Sequence, residues 1–119
     1  MSEIEPALQA LLIAPDLQVR ANILSGKKKI TIREGYRDYY EGPTMICCHI
    51  QPWAVQVDIT DVYHVALGEV EAEDFEADGF SSQLDLLHGL RKYYPGIDYQ
   101  SPVTVIHWDN VRGQLVDNQ

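Results

Sequence analysis

Cysteine is almost absent from this chain: Cys47 and Cys48 are the only two, and they are neighbours. Adjacent side chains on a strand point to opposite faces, and neither has another cysteine to pair with. A disulfide framework and a cysteine-built zinc site are therefore excluded, and the pattern suits a reducing compartment. Long apolar runs are missing as well. The run from Ala10 to Ala14 falls far short of the roughly 20 residues that span a bilayer. The N-terminal Glu3 and Glu5 stand where a secretory signal would be basic. These features predict a soluble cytoplasmic protein with no membrane partner. His49, His64, His88 and His107 show no i, i+4 pairing, so neither a metal site nor a cofactor is expected.

Basic residues are scarce, 9 against 18 acids for a net charge of −9. Repulsion from such a molecule disfavours wrapping a polyanion through many phosphates, and no DNA partner is expected. The few bases are concentrated. Residues 20–37 hold six of them (Arg20, Lys27, Lys28, Lys29, Arg33, Arg37) against Glu34 alone, a local +5 in a remainder of −14. A focused pocket for a nucleoside-sized or anionic ligand fits this island better than a broad polymer surface.

At 119 residues and 45% hydrophobic content, the chain is long enough for one domain over 1–119 and too short for two ordinary ones. Leu8, Leu11 and Leu12, then Leu17, Ile23 and Leu24, recur at helical spacing on either side of Pro15. Asp16 is placed to cap the second helix and Gly26 to end it, so two short helices are predicted. Ile30 and Ile32 alternate with Thr31 and Arg33 as on a half-buried strand. Strands are expected over Thr44–Ile50 and Val55–Leu67, split at Gln51-Pro52.

Between Glu69 and Asp78 lie six acids and no base, which reads as a mostly solvated connection. Ser81 or Ser82 caps a helix whose stripe is Leu84, Leu87, Leu90 and Tyr94, with Phe80 at its entrance. Val103–Trp108 makes a last strand, followed by a polar, frayed tail from Asn110 to Gln119. Few helices among several strands predict an α+β fold, a small barrel-like sheet with helices packed over it.

Gly26-x-Lys28-x-x-x-x-Arg33 has the glycine, lysine and arginine spacing of the ASCH domain family, whose fold is similar to the pseudouridine-synthase-associated (PUA) RNA-binding barrel. The longer string from Ile23 to Arg33 resembles the small bacterial members, which include the N(4)-acetylcytidine amidohydrolases. The resemblance extends through the turn at Gly42, the Asp78-Gly79-Phe80 corner, the leucine helix, Tyr94-Pro95-Gly96 and the last strand, about residues 17–109. The N-terminal helix and C-terminal tail lie outside it. It implies a small PUA-like barrel and removal of an acyl group from the exocyclic amine of a modified cytidine. In those enzymes a lysine and a threonine of this strand work with a late carboxylate. Lys28 and Thr31 match the first two. Asp78 matches the third with one insertion, an aspartate where the enzymes have glutamate, with Glu76 the nearest glutamate. Gly42-Pro43 departs from the acidic residue common after that glycine. The family also implies two alternatives, a non-catalytic RNA or nucleotide-binding module and a ribonuclease.

The residue chemistry fits this implication. Amide hydrolysis needs a nucleophile, a base, stabilisation of the oxyanion and a proton for the leaving nitrogen. Lys28 is the candidate base, its amine suppressed by neighbouring cations and partial burial. Thr31 is the nucleophile or orients a water, Asp78 orients Lys28 or protonates the amine, and Gly26 and Arg33 shape the substrate site. Of the aromatics Trp53, Trp108, Tyr36, Tyr39 and Tyr40, Tyr36 is the candidate to stack on a base. Strand alternation sets one condition: Lys28 and Thr31 converge only if Lys28 sits in the turn before pairing begins.

Overall fold

Asp16 caps a helix, as its position predicts. In the computed structural model, which describes residues 9–13, 16–48 and 53–116, its Oδ1 accepts the backbone N–H groups of Gln18 at 2.8 Å and Val19 at 3.2 Å. Helix α1 (Leu17–Leu24) follows and buries Ile23. It stops at Gly26, whose φ of +81° lies in the left-handed region that a side chain disfavours.

Before α1 the structure departs from the expected helix. Gln9–Ile13 is strand β1, with Leu11 and Ile13 buried and Leu12 half exposed. That is a period of two. Leu11 and Leu12 satisfy either period in so short a segment, and the strand wins because it pairs in parallel with β3 (Gly42–Cys48). Leu8, Pro15, the Gln51-Pro52 break and residues 117–119 lie outside the described residues.

Strands β2 (Ile30–Glu34), β4 (Trp53–Ala66) and β5 (Pro102–Val116) complete one sheet of order β1-β3-β4-β5-β2. Every pairing except β1 with β3 is antiparallel. The sheet curls into a five-stranded half-barrel, the coarse architecture the sequence predicts. The frayed tail is corrected: β5 runs on through residues 110–116 to pair the start of β4. Positive φ at Asn110 (61°) and Gly113 (62°), with register shifts opposite, accommodates this polar stretch as an irregular strand.

Two helices follow β4, α2 (Ala72–Ala77) and α3 (Gln83–Arg91). Ser82 is the α3 cap, accepting the Asp85 N–H at 3.0 Å. The buried stripe of α3 is Leu86, Leu87 and Leu90, whereas the predicted Leu84 is exposed. One sheet face packs α2 and α3 through Ile30, Ile32, Val103 and Val105. The opposite face packs α1 and the inner sides of β1 and β3 around Ile46, Val57, Ile106 and Trp108. Among the described residues no helix is long and apolar enough to cross a membrane.

The Phe80 staple gives a testable packing contact. A Cβ on Gly89 would overlap the Phe80 ring. Gly89→Ala gains about 1 kcal/mol of helix propensity and loses roughly 1–3 kcal/mol to overpacking. We expect a net loss of stability by thermal melt, relieved when Phe80→Leu is added to the same chain.

Candidate functional site

The turn after α1 positions the lysines. The Gly26 N–H donates to the Ile23 carbonyl at 3.2 Å and the Lys28 N–H to Asn22 at 2.9 Å, while the Lys29 carbonyl accepts the Trp108 N–H of β5 at 2.9 Å. The sheet ladder therefore begins at Lys29, and Lys28 lies in the turn. This meets the condition set by strand alternation. Consecutive lysines then diverge: Lys28 Nζ pairs with the Asp78 carboxylate, whereas Lys29 Nζ reaches Asp109 Oδ1 at 3.1 Å.

Asp78 closes α2, with its backbone N–H on the Asp74 carbonyl, and its side chain is only 8% exposed against 21% for Lys28. Burial raises the Asp78 pKa above the ordinary carboxylate value, opposed by the charge and hydrogen bond of Lys28 and by the charge of Arg33. The shorter aspartate thus reaches the lysine without the extra methylene of a glutamate. Glu76 is exposed on α2.

Thr31 is buried, and its Oγ1 accepts the Arg33 Nε–H at 3.0 Å. A hydroxyl that accepts a guanidinium N–H keeps its own proton free to donate and becomes the more acidic for it. Arg33 also donates Nη2–H to the Leu12 carbonyl at 2.8 Å, joining the β2 edge to β1 across the open side of the half-barrel. Desolvation pulls its pKa below the ordinary value, and Tyr94, Tyr39 and Asp78 act against that pull. Two of its nitrogens are thus engaged within the protein. Arg33 orients Thr31 and holds the seam, and its charge couples Thr31 to Asp78.

The other predicted residues are placed less centrally. Tyr36 is exposed and stacks on His64 at 3.9 Å between ring centroids, and among the described contacts nothing joins it to Lys28 or Thr31. His64 shares a cross-strand row with Thr104 and Arg33, so Tyr36 borders the Arg33 end of the site. Trp53 and Trp108 are buried, Trp53 beneath the Arg20 guanidinium at 5.7 Å. Tyr39 donates its hydroxyl to the Ala10 carbonyl at 2.8 Å. None of these three presents a free ring to a base.

A pocket of about 150 Å³ opens beside Lys29 and Asp109 rather than Lys28. Polar groups make the better site, because the Lys28 ion pair and the Thr31 hydroxyl carry reactive chemistry that this small pocket lacks.

Sequence reasoning missed one cluster. The acidic connection is not uniformly solvated: Asp74 is buried, accepting the Tyr63 hydroxyl on Oδ2 and meeting His107 Nε2 at 3.2 Å on Oδ1. Asp74 and Asp78 are one helical turn apart and in phase with buried Val70 and next to buried Phe75. That phase was the available signal. His107 alternates in step with Val105 on the face that packs α2. Among the described residues no group of three His, Cys, Asp or Glu side chains is arranged to hold a metal. No protein-family model matches the chain, and no curated protein matches it.

Proposed function

We propose that this protein is a small cytoplasmic amidohydrolase of the ASCH type on a PUA-like half-barrel, removing an acyl group from the exocyclic amine of a modified cytidine such as N(4)-acetylcytidine. The observation that carries the reading is the ion pair of Lys28 with Asp78, set immediately before the strand that bears Thr31. Burial favours the neutral carboxyl of Asp78 and the lysine favours the carboxylate, so Asp78 is the group beside Lys28 placed to take up a proton and return it. With the proton on Asp78, Lys28 is a free amine that accepts a proton from Thr31 or from a water. With the proton on Lys28, the ammonium stabilises the oxyanion of the tetrahedral intermediate. Arg33 fixes the Thr31 hydroxyl, which attacks or orients the water that does. The net charge of −9 favours a free nucleoside over a polymer.

A second reading, a non-catalytic RNA or nucleotide-binding module, draws on Tyr36, 72% exposed and stacked on His64 beside Arg37. The test is incubation of purified protein with N(4)-acetylcytidine and detection of cytidine and acetate by mass. Stoichiometric products are expected. Their absence at micromolar enzyme overturns the hydrolase reading, and salt-sensitive binding of a short RNA in the same preparation favours the second one. Ribonuclease activity, the remaining family alternative, would appear there as cleavage of that RNA.

A further inference from the structure

We propose that the pocket between the end of α1 and the irregular part of β5 is a second binding site, which takes a neutral single-ring lactam of the uracil class with its N–H on Asp109 and its carbonyl oxygen on Lys29. This goes beyond the amidohydrolase reading and does not depend on it.

Placement separates the pocket from the Lys28 ion pair. Its walls include Ile23, Leu24, Gly26, Lys29, Trp108 and Asp109, and neither Lys28 nor Asp78 lines it. Trp108 stands two positions after Ile106 on β5, and both belong to the core that packs α1. Asp78 instead ends α2, whose Phe75 packs on the opposite sheet face.

Two backbone features hold the polar groups at the mouth. A Cβ on Gly26 would lie 3.7 Å from Lys29 Cε, so the Lys29 side chain passes beside the turn that ends α1. Asn110, in the left-handed region, bends β5 directly after Asp109, and its backbone N–H donates to Asp109 Oδ1 at 2.8 Å. The same Oδ1 meets Lys29 Nζ at 3.1 Å. Asp109 Oδ2 is left with no partner among the described residues, and the Asn110 N–H and Lys29 hold this carboxyl below its ordinary pKa, so it accepts only. An ammonium has three protons, and Asp109 engages one. The ion pair therefore presents a free acceptor and free donors side by side.

Size, charge and the donor inventory then select the ligand. The pocket holds about 150 Å³, about half the low end of the roughly 300–1,000 Å³ that drug-sized ligands occupy. One ring fits it. An anion would have to take Lys29 from Asp109 in a chain of net charge −9, and a cation would meet the Lys29 ammonium. A neutral cyclic amide avoids both costs, laying its N–H on the carboxylate and its adjacent C=O on the ammonium without parting the ion pair. Ile23 and Trp108, both buried, supply apolar wall for the ring. The Trp108 Nε1–H is buried and has no hydrogen-bond partner, a costly state for a donor. Uracil carries two carbonyl groups, one for Lys29 and one for this N–H.

The indole N–H of Trp108 is the reporter. In a proton–nitrogen correlation spectrum of the full chain, the indole signals of Trp53 and Trp108 are told apart by replacing either residue with Phe. Titration with uracil should move the Trp108 proton downfield along a saturable curve with a Kd on the order of 1 mM, as for a small ligand of few atoms, and leave Trp53 nearly still. The blocked analogue 1,3-dimethyluracil, which has no N–H, should bind at least about tenfold more weakly. Lys29→Ala and Asp109→Ala should each weaken uracil by a similar factor, and because both side chains are largely exposed, their melting temperatures should stay near wild type. Absence of a saturable shift up to about 20 mM uracil, the weak end for such a ligand, overturns the site. A shift unchanged in both variants overturns it as well. Equal binding of 1,3-dimethyluracil, or tighter binding of acetate than of uracil, overturns the lactam assignment.

Discussion

Lys28→Ala is expected to lower kcat/KM for N(4)-acetylcytidine by at least about 10³-fold, the scale of losing a group that both moves a proton and stabilises charge. The same substitution has a pH-dependent effect on stability, with a sign set by Asp78. Its folded-state pKa is raised by burial, and Lys28 is the larger of the two influences holding it down. Removing Lys28 raises it further. Between the ordinary carboxylate value and that raised value the folded protein binds more protons than the unfolded chain, so stability falls as pH rises. Thermal melts should show Lys28→Ala close to wild type near pH 5 and clearly less stable near pH 8. A loss of equal size at both pH values would mean that Asp78 is not the group left uncompensated.

The largest purely structural effect is expected at Ile106, which is fully buried and pairs with Thr31 on one side and Val62 on the other. Its side chain belongs to the core cluster on the sheet face opposite α2 and α3. Ile106→Ala removes buried methyl and methylene groups at a site clamped between two strands, where collapse is limited, and should cost roughly 3–4 kcal/mol. Against a total of about 5–15 kcal/mol for a domain, that lowers the melting temperature by about 10–15 °C. Chemical denaturation should report the loss as a lower midpoint with an unchanged slope. A cost below about 1 kcal/mol would mean that the inner core is looser than its burial implies.

What could be read from the sequence was local. Asp16, Gly26 and Ser82 declare themselves because a cap or a left-handed turn depends on one residue type and its immediate neighbours. Ile30 to Arg33 alternates over enough positions to fix both strand and face. The Gly26 turn also made the placement of Lys28 before the sheet ladder legible.

What was hidden depended on partners distant in the chain. Gln9–Ile13 becomes a strand only by pairing with β3 more than thirty positions away, and its two adjacent leucines fit a helix equally well. Residues 110–116 look like a solvated tail until the first half of β4 is brought alongside. Six acids between Glu69 and Asp78 look equivalent by composition. Helical phase with Val70 draws Asp74 and Asp78 inward and leaves Glu73 and Glu76 in solvent. The same phase identifies the carboxylate that takes Lys28 and the one that takes His107. Tyr36 was legible as a candidate for stacking, and its ring stacks on His64, a partner on β4 that no local pattern reveals.

Of two neighbouring lysines, Lys28 is half-buried in its ion pair with Asp78 and Lys27 is exposed. The most direct test is kcat/KM on N(4)-acetylcytidine for wild type, Lys27→Ala and Lys28→Ala, followed by the ultraviolet change on conversion to cytidine. Lys27 is exposed, and its loss should change the value by less than about threefold, whereas Lys28→Ala should fall to background. Comparable activity in Lys28→Ala and wild type would contradict the account.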